Sequence, residues 1–169
     1  MKAIETNYAG CRFRSRLEAR WAVFFDTLGV KWEYEPEGFD LGGRYYLPDF
    51  KLPPQGWGSW STWIEVKGST VHLDKEVLIR FARQMGPVML LGPIPRPLAE
   101  GDYGWMHFDG HRQTPHGFGA FHKNGRPWYL CNTEAFVDPL TPVIDPSETN
   151  CSEAYQAARS ARFEHGESG

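Results

Sequence analysis

Apolar residues recur at two different periods along the chain, and the changes of period mark out its elements. Leu17, Trp21, Phe24 and Leu28 fall at helical spacing. Ser15 stands where an N-cap belongs, three residues before Glu18 as in a capping box, and Gly29 stands at the C′ position. A helix over 15–28 is predicted. Residues 31–35 alternate and predict a strand, broken by Pro36-Glu37-Gly38. Residues 39–45 predict a second strand with a hairpin turn at Gly42-Gly43, and 46–52 a third. Pro48 lacks a ladder donor and belongs at an edge or a strand end. Residues 53–62, rich in Pro, Gly, Trp and Ser, read as a loop. Residues 63–67 form the next strand. A helix over 73–85 follows, with Val77, Leu78, Phe81 and Met85 on one side and Gly86 closing it. The wholly apolar 87–91 suits the middle of a sheet, parallel to 63–67 through a right-handed crossover.

Beyond residue 91 the pattern weakens. Residues 92–97 read as a linker, and 105–109, 118–122 and 128–130 as short strands. A loop over 139–150 precedes a helix over 153–165 that carries Arg159 and Arg162. Residues 1–11 are expected to be a loose arm. The order helix–strand–strand–strand–helix–strand predicts an α/β sandwich over 1–92, with an appendage over 93–169 packed on it in one domain.

Composition narrows the class without choosing a function. With 169 residues, 41% of them hydrophobic and 15% aromatic, the chain is long and apolar enough to fold around its own core. No run of roughly eighteen apolar residues occurs. The first residues lack an apolar signal-like segment, and Cys11, Cys131 and Cys151 make no disulfide framework. A reducing cytoplasm is the expected location. The net charge of −3 does not advertise nucleic acid, but affinity depends on local clusters. Arg12, Arg14, Arg16 and Arg20 form one, followed by acidic Glu33, Glu35, Glu37 and Asp40. In an arbitrary protein both would read as solvated faces.

The candidate chemistry lies between Tyr46 and Gly68. Glu65 and Lys67 are two apart in an apolar strand, so they share a face while Ile64 and Val66 point into the core. A carboxylate and an ammonium on a largely buried strand are costly unless something uses them. With Asp49 brought to the same edge by the preceding strand, two carboxylates and a lysine converge. Such a set holds Mg²⁺ through oxygen and steers water at a phosphodiester.

Pro48-Asp49 followed by Glu65-Val66-Lys67 resembles the PD-(D/E)xK nuclease pattern. Residues 13–21, with Glu18, resemble that superfamily's N-terminal helix and its further acidic residue. The likeness spans roughly residues 12–92 and is nearest to phage junction-resolving endonucleases and the endonuclease subunit of cut-and-paste transposases. It implies a restriction-endonuclease-like α-β-β-β-α-β core and a DNA endonuclease requiring Mg²⁺ or Mn²⁺. By resemblance Asp49, Glu65, the Val66 carbonyl and Glu18 are metal ligands, and Lys67 orients water or neutralises charge on the phosphate. Beside such a site, Arg12, Arg14, Arg16 and Arg20 become a DNA footprint. Implied partners are DNA and a homodimer mate or a larger DNA-processing complex, in phage or mobile-element DNA processing.

Other readings stay open. Glu18 is otherwise a helix-surface partner of Arg14, and Glu65–Lys67 an ordinary strand ion pair. Trp57 and Trp60 either pack down as a lid or stack on unpaired bases. His107, His111, His116 and His122 with Cys131 and Cys151 could make a zinc site, but no CxxC or HxxxH pair is present. His72 reads as a solvated loop residue or a phosphate neighbour. No nucleophile elbow, P-loop or dinucleotide fingerprint exists. The rivals to a DNA endonuclease are an inactive nucleic-acid-binding or assembly protein on the same fold and an RNA-directed nuclease.

Overall fold

The computed structural model describes residues 4–54, 61–68, 73–86, 88–94, 106–108, 113–114, 117–121, 127–131 and 152–163. In chain order its elements are β1 (Thr6–Tyr8), β2 (Cys11–Phe13), α1 (Arg16–Thr27), β3 (Glu33–Tyr34), β4 (Phe39–Asp40), β5 (Tyr45–Tyr46) and β6 (Phe50–Leu52). There follow β7 (Thr62–Val66), α2 (Lys75–Met85), β8 (Val88–Leu91), β9 (Met106–Phe108), β10 (Gln113–Thr114), β11 (Gly117–Phe121), β12 (Pro127–Cys131) and α3 (Ser152–Ser160). The class is mixed α/β. One six-stranded sheet runs β10-β9-β8-β7-β6-β3, and β1/β2, β4/β5 and β11/β12 form separate two-stranded ribbons.

Within the sheet β7 and β8 are parallel, with Ile64 opposite Met89 and Glu65 opposite Leu90, and α2 connects them. β6 is antiparallel to β7, pairing Phe50 with Ile64, and β3 is antiparallel to β6. β8 lies inside the sheet between β7 and β9, as its unbroken apolar run predicts. All five residues of β7 are buried, because both faces of the strand are covered. Ile64 and Val66 join Phe50, Met89, Leu91 and the α1 residues Trp21, Phe24 and Phe25 on one face. Trp63 joins Leu90, Val77, Leu78, Phe81, Leu41 and Tyr46 on the other, beneath α2. Each such side chain contributes roughly 1.5–3 kcal/mol when fully buried.

Local chemistry explains the helix ends. Ser15 Oγ accepts from the Glu18 N–H at 3.2 Å and caps α1. At the other end the Gly29 N–H reaches the Asp26 carbonyl at 3.0 Å and the Val30 N–H reaches the Phe25 carbonyl at 2.8 Å. That is a Schellman motif with Gly29 at φ +69°. Asp74 caps α2 by accepting from the Val77 N–H.

Four expectations need correction. The stretch 1–11 is not wholly a loose arm, since β1 and β2 pair Thr6 with Phe13 and Tyr8 with Cys11. Ala9 and Gly10, both at positive φ, make the two-residue turn that joins them. The strand expected over 31–35 shrinks to Glu33–Tyr34, because Glu35 turns out of it at φ +44°. The strand expected over 46–52 divides into β5 and β6, with Pro48 and Asp49 between them. The C-terminal helix ends at Ser160 rather than 165; Phe163, beyond it, packs edge-on against Tyr8. The hairpin at Gly42-Gly43 forms as β4/β5, outside the main sheet.

The described residues past 93 join the same body. β9 extends the sheet from β8, and α3 buries Ala154 and Ala158 in the α1 side of the core. Tyr155 lies 4.6 Å from Phe24, centroid to centroid. Among the described residues no helix is long and apolar enough to cross a membrane.

Candidate metal centre

Pro48 interrupts the strand ladder, and the bend this leaves at Asp49 turns the carboxyl group toward β7. Asp49 Oδ2 accepts the Val66 N–H at 2.7 Å, so the aspartate is bonded to the residue between Glu65 and Lys67. Asp49 Oδ1 accepts from Arg14 Nη2 at 2.8 Å. Glu65, on the α2 face of β7, accepts the Tyr46 hydroxyl at Oε2 over 2.8 Å, and its Oε1 pairs with Lys67 Nζ. Asp49 and Glu65 are buried, whereas Arg14 and Lys67 are 56% and 39% exposed at their side chains.

The carboxylates therefore each have a fixed side and an exchangeable side. Asp49 Oδ2 and Glu65 Oε2 are held by rigid donors, a strand N–H and a buried phenol. Oδ1 and Oε1 face cations on long, half-exposed side chains that can swing away. Burial, followed by the charge of Glu65, pushes Asp49 up to about 8, against the opposing pull of Lys67 and the Val66 N–H. Burial works against the Lys67 ammonium, but Glu65 and then Asp49 hold its pKa above the ordinary lysine value. Burial and the neighbouring Glu65 carboxylate raise Tyr46 far beyond an ordinary phenol, so it stays a donor.

A divalent cation fits this donor set in kind. The Asp49 carboxyl, whose ionisation is opposed by burial and by the charge of Glu65, is relieved by positive charge, and oxygen-only donors suit Mg²⁺ or Mn²⁺, which retain several waters. Tyr46 and the Val66 N–H would supply the outer hydrogen bonds that orient ligating carboxylates. Among the described residues no three His, Cys, Asp or Glu side chains converge closely enough to hold an ion. Asp49 and Glu65 are the two buried carboxylates that influence each other at this edge of β7.

Glu18 is buried nearby but otherwise engaged. Its Oε1 accepts from Ser15 Oγ at 2.7 Å, and its Oε2 from Tyr34 Oη at 2.6 Å and the Arg14 N–H at 3.1 Å. It closes the N-terminus of α1 and contributes negative potential at Asp49 rather than a third ligand. In the alternative reading Glu18 pairs with the Arg14 side chain; it instead accepts from the Arg14 backbone N–H, because the guanidinium is drawn to Asp49 and Glu35.

The arginine cluster divides. Arg14 enters the centre; Arg12 is exposed and paired with Glu5 across the β1/β2 ribbon; Arg16 and Arg20 lie half-buried on α1. Residue type and spacing alone do not mark Tyr34 and Tyr46 as site residues. Their signal was alternation: Tyr46 is buried while its neighbour Tyr45 is exposed. Trp57, Trp60, His72, His111, His116, His122 and Cys151 lie outside the described residues, as do the side chains of His107 and Cys131.

Glu65 and Lys67 open into a cavity of about 430 Å³, also lined by Arg44, Tyr45, Tyr46 and Asp74. The chain matches no protein-family model, no curated protein and no solved structure.

Proposed function

We propose that this chain is a metal-dependent DNA endonuclease of the PD-(D/E)xK kind, with β3, β6, β7 and β8 and the helices α1 and α2 as a restriction-endonuclease-like core. The observation that carries the reading is the 2.7 Å bond from the Val66 N–H to Asp49 Oδ2. It joins two motif halves sixteen residues apart at one end of β7. A merely structural ion pair gives no reason to set a second buried carboxylate beside Glu65 and Lys67, which line a cavity.

In this reading Asp49 and Glu65 hold Mg²⁺ or Mn²⁺, with the Val66 carbonyl beside them as a further oxygen. The ion, when bound, polarises the scissile phosphate and lowers the pKa of water. Tyr46 fixes the Glu65 carboxylate so that Oε1, the oxygen paired with Lys67, keeps one direction. Lys67, charged and half-exposed, leaves Glu65 for the phosphate or the attacking water and offsets developing negative charge. Glu18 maintains the negative potential and the start of α1. Arg14, with Arg12, Arg16 and Arg20, supplies positive charge for the backbone of DNA.

The test is supercoiled plasmid incubated in Mg²⁺ and in Mn²⁺ beside a Glu65→Ala/Lys67→Ala double variant. Nicked or linear product from the wild type alone is expected. Product that persists in the double variant overturns the assignment. An inactive nucleic-acid-binding protein on the same fold would cut nothing and bind no Mn²⁺ by calorimetry.

A further inference from the structure

The cavity that reaches Glu65 and Lys67 has one wall the nuclease chemistry does not use. The β4/β5 hairpin carries Tyr45 into this wall, and Tyr45 is 73% exposed although its strand neighbour Tyr46 is buried. Its far edge lies against the chain at Gly38. A Cβ on Gly38 would lie 1.6 Å from the Tyr45 hydroxyl oxygen and 2.1 Å from Cζ, so the far edge of the ring rests on the bare Gly38 backbone. An exposed tyrosine at a cavity mouth is a broad contact face with only two side-chain torsions to fix on binding.

Charge on that wall, at Arg44 and Asp74, and just beyond it, at Glu76 and Arg80, argues about what that face meets. Arg44 pairs with Asp74 and Glu76, and Glu76 pairs with Arg80. These two cations and two carboxylates balance one another, so this wall offers no positive track for a phosphate backbone. It offers a π surface beside the proposed centre. A cavity of about 430 Å³ lies within the roughly 300–1,000 Å³ range of small-molecule sites. That space is suited to a nucleotide whose base has left a stack.

We propose that Tyr45, propped by Gly38, is a stacking platform for an unpaired base next to the phosphate at Glu65 and Lys67. The preferred substrate is accordingly DNA with a single-stranded nucleotide at the cut. The inference rests on the nuclease reading above. A continuous duplex hides its base faces, whereas stacking on an aromatic ring accepts any exposed base and does not depend on sequence.

The experiment titrates wild type, Tyr45→Phe, Tyr45→Ala and Gly38→Ala into a 2-aminopurine-labelled single strand and its blunt duplex, in Ca²⁺. Cleavage of both DNAs is then followed in Mg²⁺ and Mn²⁺. Circular dichroism confirms folding of each variant. Expected for the single strand are fluorescence quenching with wild type and Tyr45→Phe, and about tenfold weaker binding by Tyr45→Ala. Duplex binding should not change between these proteins. Gly38→Ala should resemble Tyr45→Ala although the tyrosine is still present, since the added methyl displaces the ring. Single-strand binding by Tyr45→Ala equal to wild type, or equal losses on both DNAs, overturns the platform while leaving any observed cleavage to support the nuclease. A wild type that neither binds nor cuts either DNA overturns both.

Discussion

Arg14 Nη2 lies 2.8 Å from Asp49 Oδ1, placing a guanidinium on the carboxylate oxygen a metal ion would need. The arginine comes from the residue just ahead of the α1 cap, and its backbone N–H is tied to Glu18 and Tyr34. One residue thus links the start of α1 to the aspartate. Since the side chain is half-exposed, it competes with a cation for Oδ1 rather than sealing it.

Removing that competitor should favour the ion. Arg14→Ala is expected to raise Mn²⁺ affinity by about tenfold, the equivalent of one charge-assisted hydrogen bond of about 1.5 kcal/mol. Calorimetric titration of the DNA-free protein measures it. An unchanged or weaker affinity would mean that Arg14 orients Asp49 for the metal instead of opposing it.

Tyr46 is the fixed support of Glu65. Tyr46→Phe removes one oxygen and leaves Glu65 Oε2 buried without its phenol donor. The expected cost is about 1–3 kcal/mol in urea unfolding of the metal-free protein, with a smaller loss when saturating Mn²⁺ is present. An equal loss with and without the ion would show that Glu65 gains nothing from metal.

Asp49 predicts a pH dependence of stability in the protein freed of metal. Its pKa is raised in the folded state to about 8, from 3.8. Between these values the unfolded chain releases the proton first, so stability present below about 4 is lost as pH rises toward 8. Melting temperatures in EDTA should therefore fall from pH 5 to pH 8 and level off above it. Tyr8, pushed up to about 12 by burial and then by its bond to Asp26, stays protonated throughout that window. Asp49→Asn should flatten the profile. A wild-type profile parallel to that of Asp49→Asn would assign the dependence to other groups.

The C-terminal helix should prove part of the core. Ala158 is wholly buried in the cluster on the α1 side of the sheet. Ala158→Leu adds three carbons to a packed contact and is expected to cost about 1–3 kcal/mol. Chemical denaturation reports it, and the loss should appear in one cooperative transition shared with α1. Retained stability would detach α3 from the folding unit.

Local signals carried the secondary structure. Ser15 with Glu18 and Gly29 bound α1 through backbone chemistry within a few residues of each end, and Asp74 and Gly86 bracket α2 in the same way. The apolar runs of β7 and β8 announced strands covered on both sides, and Glu65 and Lys67 stood out because charge in such a run is expensive. The β1/β2 ribbon escaped because Ala9 takes a positive φ that alanine disfavours, leaving Gly10 as a faint turn signal.

The sequence by itself determined which residues are candidates: helices and strands follow periodicity, and Asp49, Glu65 and Lys67 follow from their types and spacing. Only the tertiary structure decided how they are partnered. Asp49 bonds the Val66 N–H rather than another side chain, Glu65 leans on Tyr46, and Glu18 turns its oxygens to Ser15 and Tyr34. Arg14 leaves the surface cluster for Asp49, thirty-five positions away. Periodicity reaches only a few residues along the chain. Hydrogen-bond pairing depends on which atoms the packed sheet and helices bring within about 3 Å, and that is settled by burial across the whole fold.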